Sequence, residues 1–515
     1  MKLNYKRTIL VGFAFFLISA FWQAYDATIP VILTNKFGMS QTWSGVIMAL
    51  DNILAVFMLP IFGALSDKCL GKRFGKRTPF IVIGTVVAVV ALFTLSFVDN
   101  AQLKNIADVS KIDDPAAMEV IYETQGDKEL MTPNGEKFIL SELFDKEEFV
   151  AIKCTVDKKT NPDYTNYVAP ARQAYAAMAT RANATPLLLF IDLLLVVLVA
   201  MATFRSPAVA LMPDVTIKPL RSKANAIINL MGTAGGVLVL VLGKIFATSA
   251  VRNQLMSYNV YYGIVVGIML TALVIFLLTV RERKWAKQMR EDSVKLGVEE
   301  AAEEGSDSKD DRKLSGAEKR SLMFILASIA LWYFGYNAVT SKYAVYAGNI
   351  LNMDYNTTLL LAQAAAIVAY LPAGMIASKI GRKKTIMGGI VLLTTAFAAA
   401  SFMRADSSVL LMNVLFAMAG IGWATINVNS FPMVVEMCSG ADIGKYTGFY
   451  YTASMSAQIV TPMLSGFLMD NMGMTVLFPY AAIFAGLAFL TMAVVRHGDA
   501  KPEANTGLGD LDIEG

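Results

Sequence analysis

The chain has 515 residues, of which 55% are hydrophobic and only 17% are charged. A soluble protein of this length needs more charged residues to cover its surface, so the composition excludes an ordinary soluble fold. The formal net charge of +4 is too small to indicate a nucleic-acid partner.

The apolar residues occur in blocks of about twenty, the length that an α-helix needs to cross a bilayer. These blocks predict an all-α membrane protein with twelve transmembrane helices. The first block follows a basic N-terminus but is too long for a signal peptide, so we interpret it as an uncleaved helix. In chain order the helices are predicted at residues 8–33, 42–65, 80–98, 185–204, 223–246, 258–280, 321–341, 357–377, 385–402, 408–435, 446–469 and 475–495.

Two hydrophilic stretches interrupt this series. Because the lysines and arginines of the short loops and tails concentrate on one side, both termini and the central linker are predicted to be cytoplasmic. The stretch between the third and fourth helices is then extracellular. The predicted organisation is an N-terminal six-helix bundle (1–280) with an extracellular insertion (99–184), a cytoplasmic linker (281–320), a C-terminal six-helix bundle (321–495) and a cytoplasmic tail (496–515).

The insertion carries local signals for β-structure. A Pro-Asn-Gly turn at 133–135 stands between short alternating runs, and 149–156 is strand-like. We therefore expect a small β-containing cap. The alternative is a loop without function.

The two bundles share a degraded internal repeat. A Leu-Pro pair at 59–60 stands six residues before Ser66, and a second at 371–372 stands six residues before Ser378. Each is followed by a basic cluster. The two copies follow the second and eighth helices, which are equivalent positions in a six-plus-six arrangement, as is common in transporters.

The first copy contains a recognisable motif. Gly-Ala-Leu-Ser-Asp-Lys at 63–68, with Gly-Lys-Arg at 75–77, resembles the signature loop of the major facilitator superfamily. The resemblance implies two six-helix bundles and secondary transport. In such a loop Gly63 lets helices approach, Asp67 caps or pairs at a helix end, and the cations bridge the halves in one state. The alternative is that the cations serve only to fix the topology.

Two further loops resemble a narrower branch. Residues 73–80 are similar to the corresponding loop of sucrose transporters and of the glycoside–pentoside–hexuronide:cation symporters, and 205–214 with 221–225 to the next cytoplasmic loop of sucrose transporters. This implies proton- or cation-coupled uptake of a sugar or glycoside. The residues assigned to gating are Gly63, Asp67, Lys68, Arg73, Gly75, Arg77, Arg205, Asp214, Arg221 and Glu436.

The chain also departs from that branch. Symporters of the melibiose type carry two carboxylates on helix two, but the matching positions here are Ala55 and Leu59. The acid expected in helix four of sucrose transporters falls at Leu198. A sodium site of the melibiose type and a specificity for sucrose therefore do not carry over.

Three carboxylates fall inside predicted helices of the first bundle, where an ionised group is costly and marks function by default. Asp26, Asp51 and Asp192 lie at similar depths from one end, which favours a shared polar chamber that binds the coupling cation. The alternative is structural pairing, for example with Asn52. Asp192 could also simply face water near its helix end.

Aromatic and amide side chains in the predicted helices suit a sugar, whose ring stacks and whose hydroxyls form hydrogen bonds. They favour a neutral polyhydroxyl ligand over an organic cation. The substrate-binding candidates are Trp22, Gln23, Tyr25, Asn52, Tyr333, Tyr336, Asn337, Gln363, Trp423 and Asn427.

These features predict a proton-coupled (or other cation-coupled) sugar or glycoside symporter of the cell membrane that works by alternating access. The expected partners are a small molecule, a coupling cation and the lipid bilayer, with a monomeric chain and neither nucleic acid nor cofactor nor bound metal. One alternative is a drug or metabolite:proton antiporter. Another is a non-transporting membrane sensor. No Ser/His/Asp set, metal motif or phosphate loop indicates an enzyme.

Overall fold

The computed structural model describes residues 3–69, 71, 74–157, 159–217, 220–295, 315–435, 437 and 443–498. Helices dominate these residues, and four two-residue strands accompany them. The helices are α1 (Tyr5–Asn35), α2 (Gln41–Lys68), α3 (Thr78–Asn105), α4 (Pro115–Gln125), α5 (Leu140–Leu143), α6 (Lys146–Ala151), α7 (Ala169–Ala182), α8 (Thr185–Val215), α9 (Arg221–Ile245), α10 (Asn259–Thr279), α11 (Glu282–Lys295), α12 (Gly316–Tyr346), α13 (Tyr355–Ile380), α14 (Arg382–Ala400), α15 (Val409–Val435), α16 (Ile443–Met472) and α17 (Leu477–Val494).

Eleven helices in this part of the chain are long and apolar enough to cross a membrane. They correspond to eleven of the twelve predicted spans. The helix α16 corresponds to the remaining prediction; it has 30 residues but includes Lys445, Gln458 and Asp470, and it is not among the eleven.

The predicted helices differ from the observed ones mainly at their ends. The largest difference is in α8, which was predicted to end at residue 204 but continues to Val215 with Pro207 and Pro213 inside it. Prolines are tolerated inside membrane helices because neighbouring groups satisfy the freed carbonyls. The residues 205–214, which we interpreted as a loop, are therefore helical.

The helices form two halves with the same packing. In the first half α1 packs on α9 and α10, α8 packs on α2 and α3, and α3 packs on α10. In the second half the equivalent pairs are α12 with α16 and α17, α15 with α13 and α14, and α14 with α17. Each half has its own buried apolar core. The repeat seen in two loops thus extends to the whole helix arrangement.

Glycines bring the halves together where α2 crosses α16. A Cβ atom at Gly45 would overlap the carbonyl oxygen of Pro462, and one at Gly466 would overlap that of Gln41. Only glycine fits at either position, so the two backbones lie in direct contact. Further contacts between the halves pair α9 with α13 and α1 with α12.

Residues 106–184, which we call the insert, form a small packed unit between α3 and α8. Its own apolar core includes Met118, Ile121, Phe149 and Tyr164. Strands β1 (Leu130–Met131) and β2 (Lys137–Phe138) pair antiparallel around the 133–135 turn, and β3 (Thr155–Val156) pairs with β4 (Lys159–Thr160). The end of the bundle beside the insert is the insert end, and the opposite end, from which α11 leads off, is the linker end.

The prediction of a strand at 149–156 is wrong for most of these residues. Residues 146–151 form α6, and only Thr155 and Val156 lie in a strand. A capping box starts this helix, because Asp145 accepts from the backbone of Glu148 while the Glu148 side chain binds the backbone of Asp145. This local signal outweighs the alternating pattern that follows it.

The insert is attached to the first half through α7, which packs on the turn between α1 and α2. Gly38 in this turn has φ +63°, and a Cβ atom there would overlap the backbone of α7. Gln173 donates to the side chain of Asn35 at 2.8 Å, and Gln102 donates to Thr180 at 2.9 Å.

The insert also touches the second half. The amide of Met474 donates to the carbonyl of Pro133 at 2.7 Å, and the backbones of Gly135 and Gly473 pack against each other. The insert therefore spans the division between the halves at the insert end.

A fully buried ion pair joins the end of α1 to α3. The Lys36 ammonium lies 2.6 Å from the Asp99 carboxylate, and neither side chain is exposed. Lys36 also donates to the carbonyl of Met256 at 2.7 Å and lies 4.7 Å from the ring centroid of Tyr258. Both charges are thus compensated at a depth where an unpaired charge would be costly.

We expect Asp99→Ala to destabilise the protein by about 3–5 kcal/mol, because it leaves the buried ammonium without its counter-charge. The loss should appear as a lower midpoint of thermal unfolding in detergent. Glu129→Ala is the matched control, since it breaks the exposed pair with Lys137, whose contribution should be at most about 1 kcal/mol. Equal midpoints for the two variants would contradict this assignment.

Candidate transport site

A cavity of about 190 Å³ lies between the two halves. Helices α1, α2 and α8 line it from the first half, and α12 and α16 from the second. Its ionisable residues are Asp26, Asp51 and Arg205. The remaining lining residues are Trp22, Met48, Asn52, Asn337, Thr340, Ser341, Gln458 and Pro462.

The structure brings together two of the three predicted coupling carboxylates. Asp26 lies nine residues before the end of α1 and Asp51 ten residues after the start of α2. At 1.5 Å per residue both are about 14–15 Å from the insert end. Their equal depth follows from the antiparallel arrangement of α1 and α2 around a short turn.

The expectation that Asp192 shares this chamber is wrong. Asp192 is exposed and does not line the cavity. The buried face of α8 carries Phe190, Leu194 and Leu198. Because successive helix residues are about 100° apart, Asp192 points away from that face.

Arg205, which we assigned to a gating loop, lies in α8 and lines the cavity. The spacing of Leu194, Leu198, Met201 and Arg205 keeps them on one helical face. This spacing is the sequence signal that would have placed Arg205 inside. The prediction missed it because residues 205–214 were interpreted as a loop.

The three ionisable groups have different surroundings. Asn52 donates to the Asp51 carboxylate at 2.7 Å. The Arg205 guanidinium lies 5.7 Å from the ring centroid of Trp22 and is attracted by Asp51. The Trp22 indole N–H is buried and has no partner among the described residues. The site therefore combines two acids, one cation and an aromatic face.

Of the predicted substrate-binding residues, Trp22, Asn52 and Asn337 line this cavity. Others form two clusters around it. Tyr336 and Trp423 stack at 3.7 Å between ring centroids, with Tyr333 edge-on to Trp423 at 5.1 Å. This aromatic cluster belongs entirely to the second half.

The second cluster joins the halves through amides. Gln363 donates to Gln23 at 2.6 Å, and Gly236 of α9 leaves room for this contact. Elsewhere, Asn427 lies close to Tyr370. Tyr25 is buried against Phe21 and Trp22, outside the cavity.

The insert end carries a polar contact that sequence reasoning missed. Asp470 of α16 accepts hydrogen bonds from the backbone N–H groups of Gln41 and Thr42, both at 2.7 Å. It thereby caps the N-terminus of α2 from the other half. The buried Lys342 of α12 donates to the carbonyl of Gln41 at 2.6 Å. We call Gln41, Thr42, Lys342 and Asp470 the latch.

A second cavity of about 120 Å³ lies beside the latch, between the insert and both halves. It reaches Met131, Gln173, Asn349 and Asp470. Both oxygens of Asp470 are already engaged in capping α2, so the carboxylate is committed to the latch.

The linker end is organised around Arg77. Its guanidinium forms an ion pair with Asp214 at 2.7 Å and also binds Ser66. Gly63 lies where α2 passes α8, and a Cβ atom there would come within 2.9 Å of Ser206. The predicted gating residues Gly63, Arg77 and Asp214 thus belong to one contact region within the first half.

A further residue of this region was not predicted. Glu282 of α11 accepts from the backbone N–H groups of Arg77 and Thr78 at 2.9 and 2.8 Å, and so caps α3. Gly75, with φ +104°, leaves space for this carboxylate. Lys68 is exposed at the end of α2. Of the other gating residues, Arg73 and Glu436 lie outside the described residues, as do the side chains of Asp67 and Arg221.

Within the described ranges, no group of three or more His, Cys, Asp or Glu side chains is placed to hold a metal ion. The side chains that the central cavity offers to a polar ligand are Asp26, Asp51, Arg205 and the surrounding amides and hydroxyls.

Comparison with known proteins agrees with this architecture. The family model described as Major Facilitator Superfamily matches residues 173–369 and 357–511, and the model described as MFS/sugar transport protein matches residues 10–105. An MFS-type transporter, ppzB, from Metarhizium rileyi is 25% identical over 142 residues, which cover 27% of this chain and 29% of that protein. The alignment thus spans under a third of this curated relative.

Solved structures cover nearly the whole chain. The inward open xylose transporter XylE from E. coli superposes with a TM-score of 0.60 at 13% identity, covering 97% of this chain and 98% of that one. The nucleoside transporter NupG gives a TM-score of 0.53 at 14% identity, covering 95% and 100% of the two chains. At such low identities the likeness shows the fold alone.

The chain is a polytopic membrane protein with the two-bundle fold of a transporter. It belongs to the major facilitator superfamily, whose model matches most of its length. The members of this superfamily are membrane transporters and not enzymes.

We expect Gly75→Ala to destabilise the linker end by about 1–3 kcal/mol, because a side chain there strains the backbone and displaces the Glu282 cap. The measurement is the midpoint of thermal unfolding in detergent. Gly267→Ala is the control, since no atom lies within 4 Å of a Cβ atom there. A midpoint for Gly75→Ala at or above that of the control would refute the cap.

Proposed function

We propose that the protein is a proton-coupled symporter of a small polar solute, a sugar or glycoside, with twelve transmembrane spans. The observation that carries the proposal is the cavity between the halves, into which Asp26 and Asp51 project at one depth. The mixture of carboxylates, amides, hydroxyls and Trp22 suits a polyhydroxyl ligand. The family model for sugar transport and the likeness to XylE support the same class.

The proposed orientation places the linker end in the cytoplasm and the insert outside the cell membrane. It rests on the basic residues of the linker and the short loops. The protein would then be a monomer with both termini cytoplasmic, and the insert would form an extracellular cap.

Coupling is proposed to arise from the charge on Asp26 and Asp51. An ionised carboxylate at this depth costs about 2.5–3.5 kcal/mol, and proton binding removes that cost. Asp26 has no hydrogen bond or ion pair within the described part of the chain, whereas Asp51 is held by Asn52. Asp26 is therefore the better candidate for reversible proton binding.

The latch gives the transport cycle its proposed outer gate. The hydrogen bonds from the latch, from Tyr355 to Ala27 at 3.3 Å and from Asn356 to Thr248 at 3.1 Å all join the halves at the insert end. The conformation is thus closed on that side, which the proposed orientation makes the outside. Alternating access requires these contacts to open when the halves rock.

Asp26→Asn should abolish accumulation of substrate against its gradient, because the amide cannot take up and release a proton, while exchange of substrate persists. Uptake by whole cells or proteoliposomes, with and without an uncoupler, measures this. The control Asp192→Asn should accumulate normally, since Asp192 is exposed and lies outside the cavity. Uncoupler-resistant, sodium-dependent uptake by the unmodified protein would defeat the proton assignment.

Asp470→Ala should shift the protein towards a state open at the insert end, because it removes the hydrogen bonds that Asp470 accepts from the first N–H groups of α2. Loss of a helix cap costs about 0.5–2 kcal/mol, so the ratio of open to closed states should rise about 2- to 30-fold. Spin labels at the exposed positions Arg252 and Asp406, in a chain with its cysteines replaced, report the separation of the halves by electron–electron distance measurement.

The matched control for the latch is Asn471→Ala. Asn471 is exposed and donates only within its own helix, to the carbonyl of Phe467 at 2.8 Å. If both variants give the same distance distribution as the unmodified protein, Asp470 does not hold the gate.

A further inference from the structure

We infer that Arg205 binds the carboxylate of the transported solute, so that the substrate is a hydroxylated organic acid rather than a neutral sugar. This inference rests on the proposed function of the central cavity. It refines the substrate class and assigns the cation of the cavity a direct role in binding.

The four fully buried cations in the described ranges have oxygen partners. Lys36 pairs with Asp99, and Arg77 pairs with Asp214. Lys342 donates to the carbonyl of Gln41. Arg172, inside the insert, donates to the carbonyl of Val109.

Arg205 differs from this set. Its guanidinium forms no hydrogen bond and no ion pair to any residue that the structure describes, although it lines the cavity. Its neighbours are the ring of Trp22 and, at longer range, Asp51 and Tyr451. A guanidinium carries five N–H donors in a planar fork that matches a carboxylate. These donors are left for a ligand.

The charges of the cavity favour an anion once protons are bound. With Asp26 and Asp51 ionised and Arg205 cationic, the three groups sum to −1; with both acids protonated they sum to +1. A substrate carboxylate then makes the loaded site neutral, which lowers the cost of carrying charge through the membrane.

This arrangement also links the proton to the substrate. Asp51 and a bound carboxylate are attracted by the same guanidinium, so an anion on Arg205 favours the protonated form of Asp51. By thermodynamic reciprocity, protonation of Asp51 favours binding of the anion by the same factor.

The opposite wall of the cavity supplies groups for hydroxyls. Asn337, Thr340, Ser341 and Gln458 line it from the second half. Each donates one hydrogen bond to a backbone carbonyl of its own helix, for example Gln458 to Ser454 at 3.3 Å. Their oxygen atoms still accept hydrogen bonds. A ligand with a carboxylate at one end and hydroxyls at the other matches both walls.

The test compares acids with their neutral counterparts. Titration calorimetry of the purified protein at pH 5.5 would use D-galacturonate against D-galactose and D-gluconate against D-sorbitol. We expect at least one acid to bind about tenfold or more tightly than its counterpart, the effect of one charged hydrogen-bonded pair. If neither acid binds more tightly than its counterpart, or if neither binds at all, the inference is overturned.

Variants of Arg205 separate binding from a structural role. Arg205→Gln should remove the preference for the acid, and Arg205→Lys should keep part of it, because the charge remains and the fork is lost. If Arg205 served only to balance Asp51, the double variant Asp51→Asn/Arg205→Gln would recover binding of the acid. Recovery in the double variant would overturn the inference, and its absence would support it.

Proteoliposomes distinguish this inference from the proposed function. Proton uptake driven by galactose or sorbitol, and not by either acid, would leave proton-coupled transport standing and overturn the role of Arg205. Acid binding that depends on Arg205 but moves no protons would instead count against symport while supporting the binding assignment.

Discussion

The contact between α2 and α16 determines what the rest of the molecule can do. Gly45 and Gly466 let the two backbones touch, and only then can the Asp470 carboxylate reach the first amides of α2. A helix N-terminus carries unsatisfied donors and partial positive charge, and a carboxylate from another part of the chain satisfies both. Because the cap comes from the other half, the local stability of α2 depends on the state of the interface.

The charged groups within the bundle also depend on partners from other helices. A charge in a low-dielectric setting is tolerated when an oppositely charged or polar partner accompanies it. Lys36 and Asp99 meet this condition permanently and hold α1 to α3. The groups of the central cavity meet it only in part, since Asp51 has Asn52 while Asp26 and Arg205 have no such partner among the described residues. The Lys36–Asp99 pair therefore lies outside the central cavity, whereas Asp26 and Arg205, which can still form hydrogen bonds or ion pairs, face it.

The sequence predicts the helices well because bilayer thickness sets their length and hydrophobicity marks them. It also identifies Asp26 and Asp51, since acids are rare in such segments and their depth can be counted from the helix ends. It fails for Asp192 because depth alone does not define the helical face, and for Arg205 because residues 205–214 were interpreted as a loop. The latch could not be predicted at all, as residues 41 and 470 are distant in the chain and ordinary in type. Glu282 was missed for the same reason, since its cap depends on where α11 folds back.

The insert makes the two halves unequal, although their helices pack in the same way. It is fixed to the first half through α7 and meets the second half at the 133–135 turn, where Met474 donates to Pro133. In the proposed rocking of the halves, this turn moves with the first half and away from the second. The insert thus stabilises the conformation described here through its contacts with the second half, whereas the corresponding connection of the second half, residues 401–408, is short. Although the helices of the two halves pack alike, a few backbone contacts of the insert can therefore favour one conformation of the protein over the other.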